Sequence, residues 1–343
     1  MKKIRILSLD GGGMRGIIPA TVLNYVEQQL IEKTQNPHAR IADYVDFIAG
    51  TSTGGILGAL YLAPAGKAIQ NGATSKYTAS EALDFYIKEG YGIFNKSKKS
   101  SWFGIRKLFN AVKYDSKILE QVLLREFEDL KLYSLLRPCI ITTYNILSKS
   151  SFFFNSREPA EKEREFYIRD VLRSTSAAPT YFPPAFIPNL KKSDQNMVNI
   201  DGGVFANNPA LCAYSECRNS IFEQIAFPKA KDMLVLSIGT GGGGFQLPNV
   251  QKSHRWSLIN WAKSIPEIMM DGSIDTVSYQ MEHIFDTVRE NGKSNYKRID
   301  VPKEKRTYSG DMADASPENI EALKHAGMAA LQEANKKRKE STL

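Results

Sequence analysis

The stretch that most constrains this chain is YVDFIAGTSTGGILGAL, residues 44–60. Val45, Phe47, Ile48 and Ala49 make a short apolar run, and Gly50-Thr51-Ser52-Thr53-Gly54 follows at once. Ile56, Leu57, Ala59 and Leu60 then give the pattern of a buried helix. A buried strand, a turn of small residues and a helix is the setting in which G-x-S-x-G acquires meaning. Such a turn puts Ser52 at its apex with the hydroxyl held out. Gly50 and Gly54 remove Cβ atoms that would clash in so tight a bend. A helix beginning at Thr53 brings uncapped N–H groups and a positive dipole end beside the serine. The same residues also describe an ordinary strand-to-helix turn, so neighbouring chemistry has to separate the two readings.

A second glycine turn stands near the N-terminus. Ile4, Ile6, Leu7 and Leu9 predict a buried strand ending at Asp10-Gly11-Gly12-Gly13-Met14-Arg15-Gly16. A helical pattern follows through Ile17, Ile18, Val22, Leu23, Val26 and Leu30, with Pro19 in its first turn. Successive glycines leave backbone N–H groups uncovered and able to converge on an anion. A phosphate cradle and an oxyanion hole both use this device. The phosphate reading lacks its usual patterns, G-x-G-x-x-G or a run ending in Gly-Lys-Ser/Thr.

With 343 residues, 42% of them hydrophobic, the chain has material for one large α/β domain or two small ones. The net charge of +8 permits attraction to anionic membranes or nucleic acid without requiring either. Every apolar run is interrupted well short of a membrane span. The N-terminal run ends at Asp10 and reads as a strand, not a signal peptide, so a cytoplasmic location is expected. Cys139, Cys212 and Cys217 have no metal-site spacing and are expected to be reduced thiols.

Further along, residues 80–94 predict a helix, and residues 95–109, NKSKKSSWFGIRKLF, interleave lysines with Trp102, Phe103, Ile105, Leu108 and Phe109. That composition suits an interfacial segment, a solvated loop with its rings tucked in, or base stacking. Residues 140–144 and 151–154 predict strands, and 167–178 a helix stopped by Pro179. Val198 and Ile200 predict a strand that delivers Asp201 to its end, before Gly202 and Gly203. Residues 233–238 predict another buried strand, 256–285 a helix, 296–301 a late strand, and Ser316 caps a last helix. That helix ends in a basic tail, 336–339.

A serine nucleophile needs a base. Of the histidines, His254, His283 and His325 follow Ser52 in the order of an α/β-hydrolase triad, while His38 precedes it. None sits on a short loop after a buried strand. Asp201 is better placed, and a base other than histidine fits the chain.

DGGGMRG at 10–16, GTSTGG at 50–55 and DGG at 201–203, in that order, resemble the patatin-like phospholipase family, as do SAAPTYFPP at 176–184 and SIGTG at 237–241. The resemblance runs from Ile4 to about Ile238. It implies a three-layer α/β/α sandwich with a largely parallel central sheet and hydrolysis of acyl esters in lipids. Carried over by position, it makes Ser52 the nucleophile and Asp201 the base of a dyad. The elbow is Gly50, Thr51, Thr53 and Gly54, and the oxyanion hole is Gly11, Gly12 and Gly13 with Arg15 in support. It implies no metal and no cofactor. Residues 1–343 are expected to form one catalytic domain with a core at about 4–240. A basic, aromatic-containing insertion would occupy about 64–113, and a helical C-terminal part about 245–343.

The expected substrate is a membrane lipid, reached by transient contact at the bilayer surface. No nucleic-acid partner is expected, and the oligomeric state is left open. A histidine-assisted esterase on soluble esters and a non-catalytic anion- or nucleotide-binding module stand as alternatives. Phe182, Phe186, Phe205 and the region of Ile17–Pro19 are the expected walls of an acyl groove.

Overall fold

Successive residues along the early strands fall on opposite faces, and both faces are apolar. Ile6, Phe47, Ala49, Ile140, Met233 and Val235 join one buried cluster, while Leu7, Leu9, Ile48 and Ile141 join another. A sheet apolar on both sides requires helices on both sides.

The structure, a computed structural model, describes residues 3–66, 73–96, 112–158, 162–192, 194–222, 225–242, 251, 253 and 257–340. In chain order the elements are β1 (Ile4–Leu9), α1 (Ile17–Thr34), β2 (Phe47–Thr51), α2 (Thr53–Leu62), α3 (Ala79–Tyr91), α4 (Lys117–Phe127), β3 (Cys139–Asn145) and β4 (Ser150–Asn155). Next come α5 (Ile168–Thr175), β5 (Ala185–Ile187), β6 (Met197–Asp201), α6 (Gly203–Ala206), α7 (Ala210–Arg218) and a small hairpin, β7 (Ile221–Phe222) with β8 (Ile225–Ala226). The chain finishes with β9 (Met233–Ile238), α8 (Leu258–Asp286), β10 (Tyr296–Ile299) and α9 (Pro317–Glu340).

The main sheet runs β10-β9-β1-β2-β3-β6-β5, with β4 also on β3. From β10 to β3 neighbouring strands are parallel, and β4, β6 and β5 run against their neighbours. The expected sandwich is therefore present, with a mixed edge beyond β3. Ala213 and Cys217 of α7 and Met281 and Phe285 of α8 cover one face. Buried side chains of α1, α2, α4, α5 and α9 cover the other. The late residues belong to this sheet: β10 pairs with β9, and α9 buries Ile320, Leu323 and Leu331.

Helix α3 ends at Tyr91, earlier than the pattern predicts, in a wide turn over Gly92–Lys96. Most of the interleaved lysine–aromatic segment, including all five of its apolar residues, lies outside the described residues. Among the described residues no helix is long and apolar enough to cross a membrane. The cysteines are free thiols, with Cys139 and Cys217 buried.

Candidate active site

β2 ends at Thr51, α2 begins at Thr53, and Ser52 takes the whole change of direction at φ 53° and ψ −122°. A non-glycine residue there stores about 1–3 kcal/mol of strain. Leu57, Leu60 and Leu62 of α2 are fully buried, and each such side chain contributes about 1.5–3 kcal/mol, so packing of the helix outweighs the strain. Gly54 is required: a Cβ there would run into the backbone of Leu9 and Asp10.

Side-chain hydroxyls hold the turn. The Ser52 N–H donates to Thr175 Oγ1 at 2.8 Å, and that hydroxyl donates to the Thr142 carbonyl at 2.6 Å. Thr51 Oγ1 donates to the Ala206 carbonyl and stands 2.7 Å from Thr142 Oγ1. Thr142 on β3 thus ties the elbow to α5 and α6. Thr53 Oγ1 reaches the Tyr86 hydroxyl of α3 at 2.9 Å, and that hydroxyl donates to the Thr53 carbonyl.

Asp201 is buried at the end of β6. β6 runs against β3 and pairs Asp201 with Thr143, one residue past the Thr51–Thr142 pairing. Register therefore brings Asp201 level with the end of β2, next to Ser52. Asp201 Oδ1 accepts the Gly203 N–H at 2.7 Å. Oδ2 has no well-formed hydrogen bond among the described residues, and the Ser52 hydroxyl is the side chain that stabilises the carboxylate. Burial pushes Asp201 up to about 7, opposed by that hydroxyl and the Gly203 N–H.

The Asp10–Gly16 loop is clamped peptide by peptide. The Gly11 N–H donates to the Asn207 carbonyl at 3.1 Å. The Gly11 carbonyl accepts from Thr240 Oγ1 at 2.7 Å and from Asn207 Nδ2 at 3.3 Å. In a trans peptide the next N–H points the opposite way, so the Gly12 N–H faces away from both partners. The Gly12 carbonyl accepts the Arg15 N–H at 3.1 Å, which turns the Gly13 N–H outward by the same logic. Gly13 has φ 58°, and a Cβ there would meet the Met312 carbonyl at 2.5 Å. Arg15 is buried, and its Nε has no hydrogen-bond partner among the described residues. Gly11 therefore anchors the loop, and Gly12 and Gly13 are the glycines that line the cavity.

Beneath the loop, Arg298 of β10 grips Asp10 through Nη2 at 2.6 Å and Nη1 at 3.3 Å. It also donates to Ser237 Oγ at 2.8 Å and to Asp300 Oδ2 at 2.7 Å. Asp300 in turn accepts the Gly241 N–H at 2.9 Å, which holds the turn that carries Thr240.

A cavity of about 740 Å³, open mouth included, joins these parts. Ser52, Asp201, Gly12 and Gly13 line it, with apolar walls from Ile56, Phe85, Ile93, Phe94, Phe182 and Met270. Of the expected groove residues only Phe182 lines this cavity. Phe186 is exposed on β5, Phe205 packs edge-on against Phe153, and Ile17–Pro19 are buried in the core. His38, His283 and His325 are exposed, and none lines the cavity. His254 lies outside the described residues. No cluster of potential metal ligands is present among the described residues.

Thr142, Thr175, Asn207, Thr240 and Arg298 were not legible as site residues. Asn207 lies two residues before Pro209 and Thr240 inside SIGTG, each without a local partner to give it meaning. Arg298, in an alternating strand, carried no local signal.

A sequence model of the family described as patatin-like phospholipase matches residues 7–214. "Patatin-like protein 2" of Oryza sativa subsp. indica is 34% identical over 95% of this chain and 83% of its own length. "Patatin-like protein 2" of Arabidopsis thaliana is 34% identical over 94% and 82%. "Patatin-17" of Solanum cardiophyllum is 32% identical over 94% and 82%.

Proposed function

The chain belongs to the patatin-like phospholipase family, whose members are lipid acyl hydrolases, and from that premise we propose that it cleaves fatty acyl esters of membrane glycerolipids with Ser52 as nucleophile and Asp201 as its base. One observation carries the reading: a strained serine meets a buried carboxyl whose neighbours oppose its burial only weakly.

The Asp201 carboxylate takes the proton as Ser52 Oγ attacks the ester carbonyl. A carboxylate near 3.9 is a feeble base for a hydroxyl, whereas one near 7 is matched to neutral conditions. Charge moves to the carbonyl oxygen, where the Gly12 and Gly13 N–H groups and the N-terminus of α2 receive it. Losing one such donor typically costs about 3 kcal/mol of barrier. The donors are preorganised, because Asn207, Thr240 and Arg15 fix the peptides behind them.

Asp201 then passes its proton to the departing alcohol and leaves an acyl-serine. Water attacks this intermediate with Asp201 again as base, and the fatty acid departs. The acyl chain lies along the apolar walls of the cavity. The enzyme works from the membrane surface without spanning it.

Product analysis tests this. Purified wild type and Ser52→Ala are incubated with mixed phospholipid and galactolipid vesicles, and products are read by mass spectrometry. Free fatty acid and lysolipid from wild type alone is the expected result. Turnover of a soluble short-chain ester with no lipid product would reassign the enzyme to soluble esters. Failure of a fluorophosphonate to label Ser52 would remove the nucleophile.

A further inference from the structure

Helix α8 has two different sides. Met270, Ile274, Met281 and Phe285 recur at helical spacing on its buried side, and Met270 reaches the cavity that holds Ser52 and Asp201. Trp261, Ile265, Ile268 and Met269, at i, i+4, i+7 and i+8, make a second stripe on the far side and are each between 37% and 48% exposed. Met269 and Met270 are adjacent, so one helix carries the cavity wall on one side and an outward apolar face on the other. Met281 and Phe285 pack onto the sheet. The N-terminal half of α8 reaches the cavity at Met270.

Glu89, Gly90 and Ile93 of the α3 end also line the cavity, and Tyr91 between them is half exposed. Two elements that line the cavity, the α3 end and α8, thus each carry exposed apolar side chains next to a lining residue.

We propose that the outer face of α8, Trp261, Ile265, Ile268 and Met269, is the surface that enters the lipid bilayer and seats the cavity mouth on it. This rests on the lipid-hydrolase reading of the same site. A bilayer is the occupant that fits, because a flat surface can meet exposed apolar side chains of both lining elements and is itself the source of the acyl chain. A helix lying in the interface buries such a stripe at the acyl boundary while its other side stays with the protein. The +8 belongs to the whole chain, whereas this helix carries Glu267, Asp271 and Asp275, so apolar insertion and not charge carries the contact. An acyl chain then passes from bilayer to cavity without crossing water.

The test uses the full chain with Ser52→Ala, so that binding is read without turnover. It is sedimented with vesicles of equimolar phosphatidylcholine and phosphatidylglycerol. Apolar seating persists in ~1 M salt, where screening confines charge effects to about 3 Å. Ile265→Gln, Ile268→Gln and Met269→Gln together, all to a good helix former, should lower partition by at least about tenfold. Ile268→Gln alone should give an intermediate loss. With Ser52 intact, the triple variant should keep its hydrolysis of a dispersed short-chain ester, which also certifies its fold, and lose vesicle hydrolysis.

Unchanged vesicle binding by the triple variant would overturn the proposal, as would absence of binding by the Ser52→Ala parent. A wild-type dimer that the triple variant splits, seen by light scattering, would assign the face to a second copy instead. Loss of binding in the triple variant when wild type forms no lipid product would keep the docking face and sink the lipid-hydrolase reading alone.

Discussion

Asp10 and Asp201 are both buried at strand ends in one site, and they are held in opposite ways. Arg298 meets both Asp10 oxygens, and its guanidinium opposes the burial that pushes Asp10 up to about 6. Asp10 is therefore a carboxylate at neutral pH, spent on tying the glycine loop to β10. Asp201 has one amide N–H and a serine hydroxyl, and burial carries it to about 7. Burial raises both groups, and the cation decides which becomes a strut and which can exchange a proton. A site that turns on a single proton needs both kinds.

Asp201→Asn breaks the contrast most sharply. Hydrolysis should fall by roughly 10³-fold, within the range for loss of a general base, when kcat/KM is measured on a soluble ester. The same substitution should stabilise the fold. Between about 4 and 7 the unfolded chain has released the Asp201 proton and the folded chain still holds it, so wild-type stability falls as pH rises through that window. A gain of up to about 4 kcal/mol at pH ~8, absent near pH ~4, is expected by urea denaturation. Wild-type kcat/KM should rise through about 7 and level off. Equal Tm values for Asn and Asp forms at both pH values would show that Asp201 is not raised.

Arg298→Met attacks the other carboxylate. It leaves Asp10 buried without its cation, at a cost of about 3–5 kcal/mol in chemical denaturation. If stability barely moves, Asp10 is no strut.

Thr240→Val has a smaller effect and tests the loop between them. It removes the hydroxyl that orients the Gly11 peptide, so kcat should fall by about 10–100-fold with KM unchanged, while Thr240→Ser restores it. A rise in KM alone would assign Thr240 to binding.

What was legible in the sequence follows the reach of each signal. Strand-to-helix turns are local, so the elbow, the glycine loop and the end of β6 could be read from spacing, along with most elements. The clamps could not. Thr240 lies 229 residues from Gly11, and Arg298 lies 288 from Asp10. Neither is implied by the periodicity around it. The cavity walls were misjudged for the same reason. Of the expected aromatics only Phe182 lines the cavity, and α2, the α3 end and α8 supply much of the remaining wall. Gly11, legible as a third oxyanion donor, is occupied by Asn207.

That distance between Asp10 and Arg298 also sets a clock. During synthesis Ser52 and Asp201 leave the ribosome long before β10 does, at about 5–20 residues per second. A growing chain therefore carries the proposed nucleophile and base while the Asp10–Gly16 loop still lacks its Arg298 anchor. Chains truncated before Tyr296 should have no hydrolytic activity even where they stay soluble, and the completed chain should acquire it in one step. If the proposed activity on membrane lipids holds, that order of assembly delays the hazard until β10 is made.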